Sequence, residues 1–309
     1  MGLREELKKL LTIVIPTLNE EEAIGKVIDE ILEQGFEPNQ ILVVDGHSVD
    51  RTVEIARSKG VRVVYQKGRG KADAIRTAVE HVNTHYMLVM DGDYTYPAKH
   101  ILELLEKIHF EGHDEVIGAR VRGRENIPFV NRFGNRVLTA FFNLLFGTRL
   151  TDVLSGMYIL RTESVRTALF ESKGFSIESE IAAHIVSSGG SIAEHPIEYR
   201  RRLGEKKLKV WDGVKIAVDM VKLAWKYNPV FFIAFIGSLL LFPGLTLAAY
   251  VVYHYLLHGV KYYVKGIIAA VMVGVGLISM LLAVLALYLK RMEWRILHQV
   301  RETARKCIG

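Results

Sequence analysis

Two aspartates separated by one glycine, Asp91-Gly92-Asp93, stand directly after the apolar run Tyr86 to Met90. Carboxylates so spaced at the end of a buried strand can both approach one hard cation. Oxygen ligands suit Mg²⁺ or Mn²⁺, ions that commonly share their coordination shell with substrate phosphates. Asp-Gly-Asp also occurs in turns, so it is the strand before it that gives the triplet weight. A second acid, Asp45, ends the apolar run Ile41 to Val44 within VVDGHSVDRT. It can accept hydrogen bonds from a base edge or a ribose, whereas Ser48, Asp50 and Thr52 suit the capping of the following helix. Gly68-Arg69-Gly70-Lys71 is the third feature: its glycines permit close backbone approach to a phosphate, and Arg69 and Lys71 supply positive charge. No Ser or Thr follows the lysine and the G-x-G-x-x-G spacing is missing, which disfavours P-loop and NAD chemistry. The 11 histidines fall in no C-x-x-C or H-E-x-x-H pattern, which disfavours zinc.

The elements that must position these groups alternate from the start. Leu11 to Pro16 is a compact strand-like run, and Ala23, Val27, Ile28, Ile31 and Leu32 follow it at helical spacing. Ile41 to Val44 reads as a second strand, Val61 to Tyr65 as a third and Tyr86 to Met90 as a fourth, with helices opening near Ser48 and spanning Lys71 to Val82. Strands that are apolar throughout and separated by helices predict a mostly parallel sheet covered on both faces, an α/β fold. Ligands of such sheets gather at the carboxyl ends of the strands. Those ends carry Pro16, Asn19 and Glu20, then Asp45, then Asp91 and Asp93, which points to one cleft. Further on, the pattern predicts a helix to about Phe110, a strand around Glu115 to Arg120, a helix over Asn135 to Phe146, another over Ile177 to Val186 and a strand over Ser191 to Tyr199. The apolar surface of the Asn135 to Phe146 helix is broad enough to be either deeply buried or laid on lipid.

Beyond Asn228 the charge disappears. Pro229 to about Leu257 and Gly266 to Leu289 are long enough, at 1.5 Å per residue, to cross a hydrocarbon core of roughly 30 Å, so both read as transmembrane spans. Before them, Trp211, Val214, Val218, Val221 and Trp225 recur at helical spacing opposite Asp212, Lys215, Asp219, Lys222 and Lys226. This predicts an amphipathic helix along the membrane surface, the competing reading being a helix packed on its own domain. Basic residues precede the first span and follow the second, so the catalytic domain and both termini are expected to be cytoplasmic. The expected divisions are a catalytic domain over 1–206, a surface helix over 207–228, a two-span hairpin over 229–289 and a basic tail over 290–309. No signal peptide is expected, and the single Cys307 excludes an internal disulfide. The net charge of +6 sits largely beside the membrane segments, so anionic lipid, not nucleic acid, is the expected partner.

Taken together, Ile13-Val14-Ile15-Pro16 with Asn19-Glu20, VVDGHSVDRT, GRGKADAI, MDGDYTYP, Gly118-Ala119-Arg120, RFGNRVLTAFFNLLFGTRLTDVLSGMYILR, GFSIESE and YRRRLGEKKLKVWDG resemble the second family of nucleotide-sugar glycosyltransferases. Within it the chain is most similar to polyprenyl-phosphate and dolichyl-phosphate hexose synthases, from about Leu11 to Gly213. The resemblance implies a GT-A fold, with Asp45 on the nucleotide base and Asp91 and Asp93 holding the metal on the diphosphate. It implies that Pro16, Asn19, Glu20 and Lys71 belong to the nucleotide-sugar site, that Asp152 and Ser155 line the sugar, and that Arg120 and Arg132 meet the acceptor phosphate. Glu178 and Glu180 fall at the family's acidic pair, with Glu180 among the catalytic candidates, and Arg202 and Lys207 match basic residues of a mobile loop. The chain departs from the family in Lys206, where serine is usual, and in MYILR, where many members have a Phe-Arg-aromatic run.

The implied activity is inverting transfer of a hexose from GDP-mannose or a UDP-hexose to dolichyl or polyprenyl phosphate, with Mg²⁺ or Mn²⁺ as cofactor. An acceptor phosphate is already anionic at pH 7, so cations are needed more than a strong base. The alternatives are transfer to a lipid-linked saccharide, a processive polysaccharide synthase, and a membrane-anchored binding protein. A processive synthase would carry more spans and a Gln-x-x-Arg-Trp-type motif, and a binding protein would not need Asp91, Asp93, Arg202 and Lys207 together. Assembly as a homo-oligomer is left open by the sequence.

Overall fold

The computed structural model describes residues 2–166, 168, 170, 177–204 and 210–308. The chain divides into two compact units, 1–223 and 224–309.

In the first unit, helix α1 (Leu3–Lys9) precedes β1 (Leu11–Thr17), α2 (Ile24–Glu33), β2 (Ile41–Asp45), α3 (Thr52–Ser58), β3 (Arg62–Tyr65), α4 (Lys71–His81) and β4 (Tyr86–Met90). Then come α5 (His100–Glu111), β5 (Glu115–Arg122), α6 (Phe129–Phe146), β6 (Met157–Arg161), α7 (Thr162–Arg166), α8 (Ile177–Ser187) and β7 (Ile192–Glu198). The seven strands form one sheet in the order β3-β2-β1-β4-β6-β5-β7. All neighbours are parallel except β6, which runs antiparallel to both β4 and β5. Every residue of β2 and β4 is buried, as strands covered on both faces require. On one face Ile13, Ile15, Val43 and Leu88 pack with α2 and α5. On the other Val14, Leu42, Val44, Val89 and Tyr158 pack with α4 and α8. A mostly parallel sheet covered on both faces is what the sequence predicts, and it agrees with the GT-A fold that the resemblance implies.

Four features differ from the sequence expectation. Helix α1 precedes the first strand, where the sequence pattern predicts no element. Strand β6 and helix α7 lie where the sequence pattern predicts no element, and β6 supplies the sheet's antiparallel member. Helix α6 starts at Phe129, six residues before Asn135, because Pro128 takes the N-cap position where its missing N–H removes no helical bond. Its surface is divided: Leu138, Phe142, Leu145 and Phe146 are buried, while Phe129, Val130, Phe133, Val137 and Leu144 form a second apolar stripe that is exposed.

Helix α9 (Val210–Tyr227) buries Ile216, Met220 and Leu223 and exposes Val218, Val221 and Trp225. In the second unit, α10 (Pro229–His258) turns at Gly259 into α11 (Tyr263–Ile308). Two apolar segments, Pro229–His258 and Tyr263–Leu289, are long enough to cross a membrane. The helices approach closely at Gly276, where an added Cβ would stand 2.8 Å from the Leu241 backbone. Helix α11 runs on through the basic segment read as a tail.

Candidate active site

The parallel register of β1 and β2 pairs Thr17 with Asp45, so their carboxyl ends lie side by side. Asp45 is fully buried. Its Oδ1 accepts from Thr17 Oγ1 at 3.2 Å and Ser48 Oγ at 2.6 Å, and its Oδ2 accepts from the Ser48 N–H at 2.8 Å. Contact between Asp45 and a nucleotide base therefore requires Ser48 to give way. The two loops are tied again by Asn19, whose N–H donates to Ser48 Oγ at 2.8 Å and whose Oδ1 accepts from the Val49 N–H at 2.9 Å. The Glu20 N–H donates to Thr52 Oγ1, and Asp50 accepts from Thr52, which matches the structural part expected of that pair. Asn19, His47 and Tyr94, one in each loop after β1, β2 and β4, have φ of 50°, 64° and 66°. Left-handed backbone is uncommon outside glycine and clusters at functional sites. Pro16 lies half-buried one residue before the end of β1.

Asp91 and Asp93 follow β4, and each faces a cation. Lys71 Nζ, at the start of α4, donates to Asp91 Oδ1 at 2.6 Å and lies 2.5 Å from Glu178 Oε1 on α8. Burial lowers the Lys71 pKa, but the Asp91 and Glu178 carboxylates outweigh it and hold the ammonium well above its usual value. Arg202 bridges the other acids, with Nη1 2.9 Å from Asp93 Oδ2 and Nη2 donating to Glu20 Oε1 at 2.7 Å. Burial first and the Asp91 charge second raise the Asp93 pKa, against hydrogen bonds from Thr95 and the Arg202 charge. Asp93 is buried and Asp91 partly exposed; two carboxylates one residue apart there call for positive charge, and their oxygens make a donor set that fits a hard divalent cation. Gly156 leaves room for one of them: a Cβ there would stand 2.1 Å from Asp91 Oδ2. Sequence reasoning named no role for Gly156, or for Tyr96, whose hydroxyl accepts from the Gly156 N–H at 2.7 Å.

Arg120 at the end of β5 pairs with Asp152 through Nε and Nη2, both at 2.7 Å, and Asn135 Nδ2 adds a third bond to the carboxylate at 2.8 Å. Burial would raise Asp152, yet the Arg120 guanidinium and the hydrogen bonds bring its pKa below the usual carboxylate range. Arg120 Nη1 makes no hydrogen bond among the described residues. Ser155 is buried and donates to the Gly118 carbonyl at 2.5 Å. Arg132 sits half-buried in the first turn of α6, over the Phe129 ring. Glu178 and Glu180 are both buried in the first turn of α8, but only Glu178 meets Lys71. Lys207 lies outside the described residues.

A separate group, His100, Glu103 and His195, brings three potential ligand atoms within 4.8 Å of one another. The Glu198 N–H donates to His100 Nε2, which leaves the neutral ring's proton on Nδ1, 2.6 Å from Glu103 Oε2. His195 Nε2 also lies 3.2 Å from Glu103 Oε2, and nothing local in the sequence brings these three residues together.

The family model for glycosyl transferase family 2 matches residues 12–168. A Haloferax volcanii protein named glycosyltransferase AglJ is 34% identical over 274 residues, covering 86% of this chain and 89% of that protein. A dolichyl-phosphate hexose transferase of the same organism is 36% identical over 216 residues, covering 69% and 93%. Among solved structures, a glucosyl-3-phosphoglycerate synthase from Mycobacterium tuberculosis, in complex with Mn²⁺, uridine diphosphate and glucosyl-3-phosphoglycerate, superposes with a TM-score of 0.57 at 21% identity, over 73% of this chain and 84% of that one. At that identity the likeness is one of fold. With sheet order, strand-end acids and sequence relatives in agreement, the chain belongs to glycosyl transferase family 2.

Proposed function

We propose that this glycosyltransferase moves a hexose from a nucleotide-sugar, GDP-mannose or a UDP-hexose, to the phosphate of dolichol or another polyprenol, with inversion at the anomeric carbon. The observation that carries the reading is the presence in one chain of a GT-A site and two apolar helices of membrane-crossing length, an acceptor-side feature that a water-soluble acceptor would not require. The 36% identical dolichyl-phosphate hexose transferase supports it.

In this reading Asp91 and Asp93 hold Mg²⁺ or Mn²⁺, which when bound supplies positive charge to the leaving diphosphate. Pro16, Asn19, Glu20 and Asp45 shape the nucleoside end, and Lys71 keeps Asp91 in place. Arg202, with Lys207, turns from its acidic partners to the diphosphate. Asp152 and Ser155 border the sugar, and Glu180 with Glu178 forms the acidic wall beneath it. Arg120, through its Nη1, and Arg132 hold the acceptor phosphate against its repulsion from the donor. An acceptor oxygen then forms its bond to the anomeric carbon as the bond from that carbon to the diphosphate breaks. The catalytic domain and both termini face the cytoplasm, and the exposed apolar stripes of α6 and α9 meet the bilayer surface. Incubation with labelled donors should move label into an organic extract when dolichyl phosphate is supplied and not when dolichol is. Label appearing only on a lipid-linked saccharide would favour the second reading, elongation of such a saccharide.

A further inference from the structure

Behind Lys71 the sheet carries polar groups that the proposed chemistry does not use. Glu115 and Tyr158 are only 2% and 1% exposed, yet Glu115 Oε2 and Tyr158 OH have no hydrogen-bond partner among the described residues. Thr162 Oγ1, four residues beyond Tyr158, is in the same condition. The register brings the first two together. Glu115 on β5 stands opposite Leu160 on β6, and Ile117 stands opposite Tyr158, so Glu115 and Tyr158 are diagonal neighbours on one face. That face is covered by α8, whose Ile177, Ile181 and Ile185 pack with Tyr158 and Leu160. Glu178, on the first turn of α8, makes the ion pair with Lys71 that leads to Asp91.

Leaving a buried hydroxyl or carboxyl unpaired costs about 1–3 kcal/mol each. Two such groups beside a buried carboxylate are the surroundings in which proteins hold an internal water, which needs two to four polar partners. The charge states fit. Burial, and then the Glu178 charge, push the Glu115 carboxyl well above its usual range, which favours the neutral acid, a form with a proton to donate. Burial and Glu178 also keep the Tyr158 hydroxyl protonated. Both groups thus keep a hydrogen to donate, and both feel the Glu178 charge.

We infer that Tyr158 and Glu115 hold an ordered water against Glu178 and so act as positioning residues, fixing through Glu178 the place of Lys71 and hence of Asp91. The kinetic part of this inference rests on the transfer reaction proposed above. The Glu178 carboxyl takes Lys71 on Oε1 and also accepts from its own backbone N–H, and the water adds the contact that keeps the carboxyl, and Lys71 with it, from turning.

The test combines a structure with kinetics on the full chain in detergent. A high-resolution structure of the wild type should contain a water within hydrogen-bond distance of Tyr158 OH and Glu178, and the Tyr158→Phe protein should lack it. Tyr158→Phe should lower kcat roughly tenfold with KM for the nucleotide-sugar within about twofold, since only the aligned state is affected. Its melting temperature should not fall, because the change deletes one hydroxyl and keeps the ring. Glu115→Leu should lose rate likewise, and Glu115→Gln, still a neutral donor, should recover most of it. In a Glu178→Gln background, Tyr158→Phe should cause no further loss. No water in the wild-type structure, or Tyr158→Phe with wild-type kcat, or an equal loss in both backgrounds would overturn the inference. A wild type that transfers no sugar would sink the functional reading while leaving the water to be decided by diffraction.

Discussion

Arg120 and Asp152 hold each other by two hydrogen bonds of 2.7 Å between strand β5 and the loop before β6, with their side chains 13% and 3% exposed. Removing one member of a buried pair leaves the other as an uncompensated charge. Asp152→Ala should therefore destabilise the catalytic domain by about 3–5 kcal/mol, measured as a shift in the chemical denaturation midpoint. A change within experimental error would mean that water reaches Arg120 freely.

The same pair gives a pH dependence. Asp152 has a folded-state pKa below its unfolded value, so the unfolded chain binds the extra proton and stability rises with pH. The contribution is fully present above the unfolded value of about 3.9 and is lost as pH falls through the folded value. Melting curves from pH 6 downward should show this acid limb in the wild type. An Asp152→Asn protein should show a shallower one, and an unchanged slope would assign the acid sensitivity to other carboxylates.

Gly156 has no backbone need for glycine, since its φ is not positive, but its neighbour Asp91 leaves no space for a methyl group. Gly156→Ala should push the Asp91 carboxylate aside by close to an ångström and lower turnover about a hundredfold while the fold persists. Circular dichroism with a transfer assay checks both halves. Normal turnover would show that Asp91 has room to move without consequence.

Arg202 bridges Glu20 and Asp93 at the mouth of the site. Loss of one preorganised electrostatic contact to a developing anion typically costs a hundredfold or more, so Arg202→Ala should fall to about 1% of wild-type turnover in detergent with a short-chain polyprenyl phosphate. A segment that only attracted anionic lipid would leave that rate intact, because the two apolar helices supply far stronger anchoring.

How much of this was legible in the sequence depends on how local the signal was. Strands β1, β2 and β4 announce themselves as unbroken apolar runs, and the acids that end them mark the cleft. Strand β6 is an apolar run too, but nothing local reports that it pairs antiparallel between β4 and β5. Helix α6 begins six residues before its apolar periodicity becomes clear at Asn135, directly after Pro128. In the site, Asp91 and Asp93 lie one residue apart, and their spacing at the end of an apolar run singles them out as candidates. The Arg120–Asp152 and Lys71–Glu178 pairs join residues far apart in sequence, and the resemblance named those residues without naming their partners. The crowding of Gly156 against Asp91 is a contact that only three dimensions reveal.

Sugar transfer to a lipid phosphate at the Asp91–Asp93 site is the reaction on which every role proposed above depends. Phosphorus NMR of the purified chain with a short-chain polyprenyl phosphate, Mg²⁺ or Mn²⁺ and each nucleotide-sugar in turn observes it directly. For one donor the acceptor monoester resonance should convert to a phosphodiester as nucleoside diphosphate appears, and Asp93→Asn should slow this by orders of magnitude while the protein stays folded. No diester with any donor, or undiminished conversion by Asp93→Asn in excess chelator, would contradict the account.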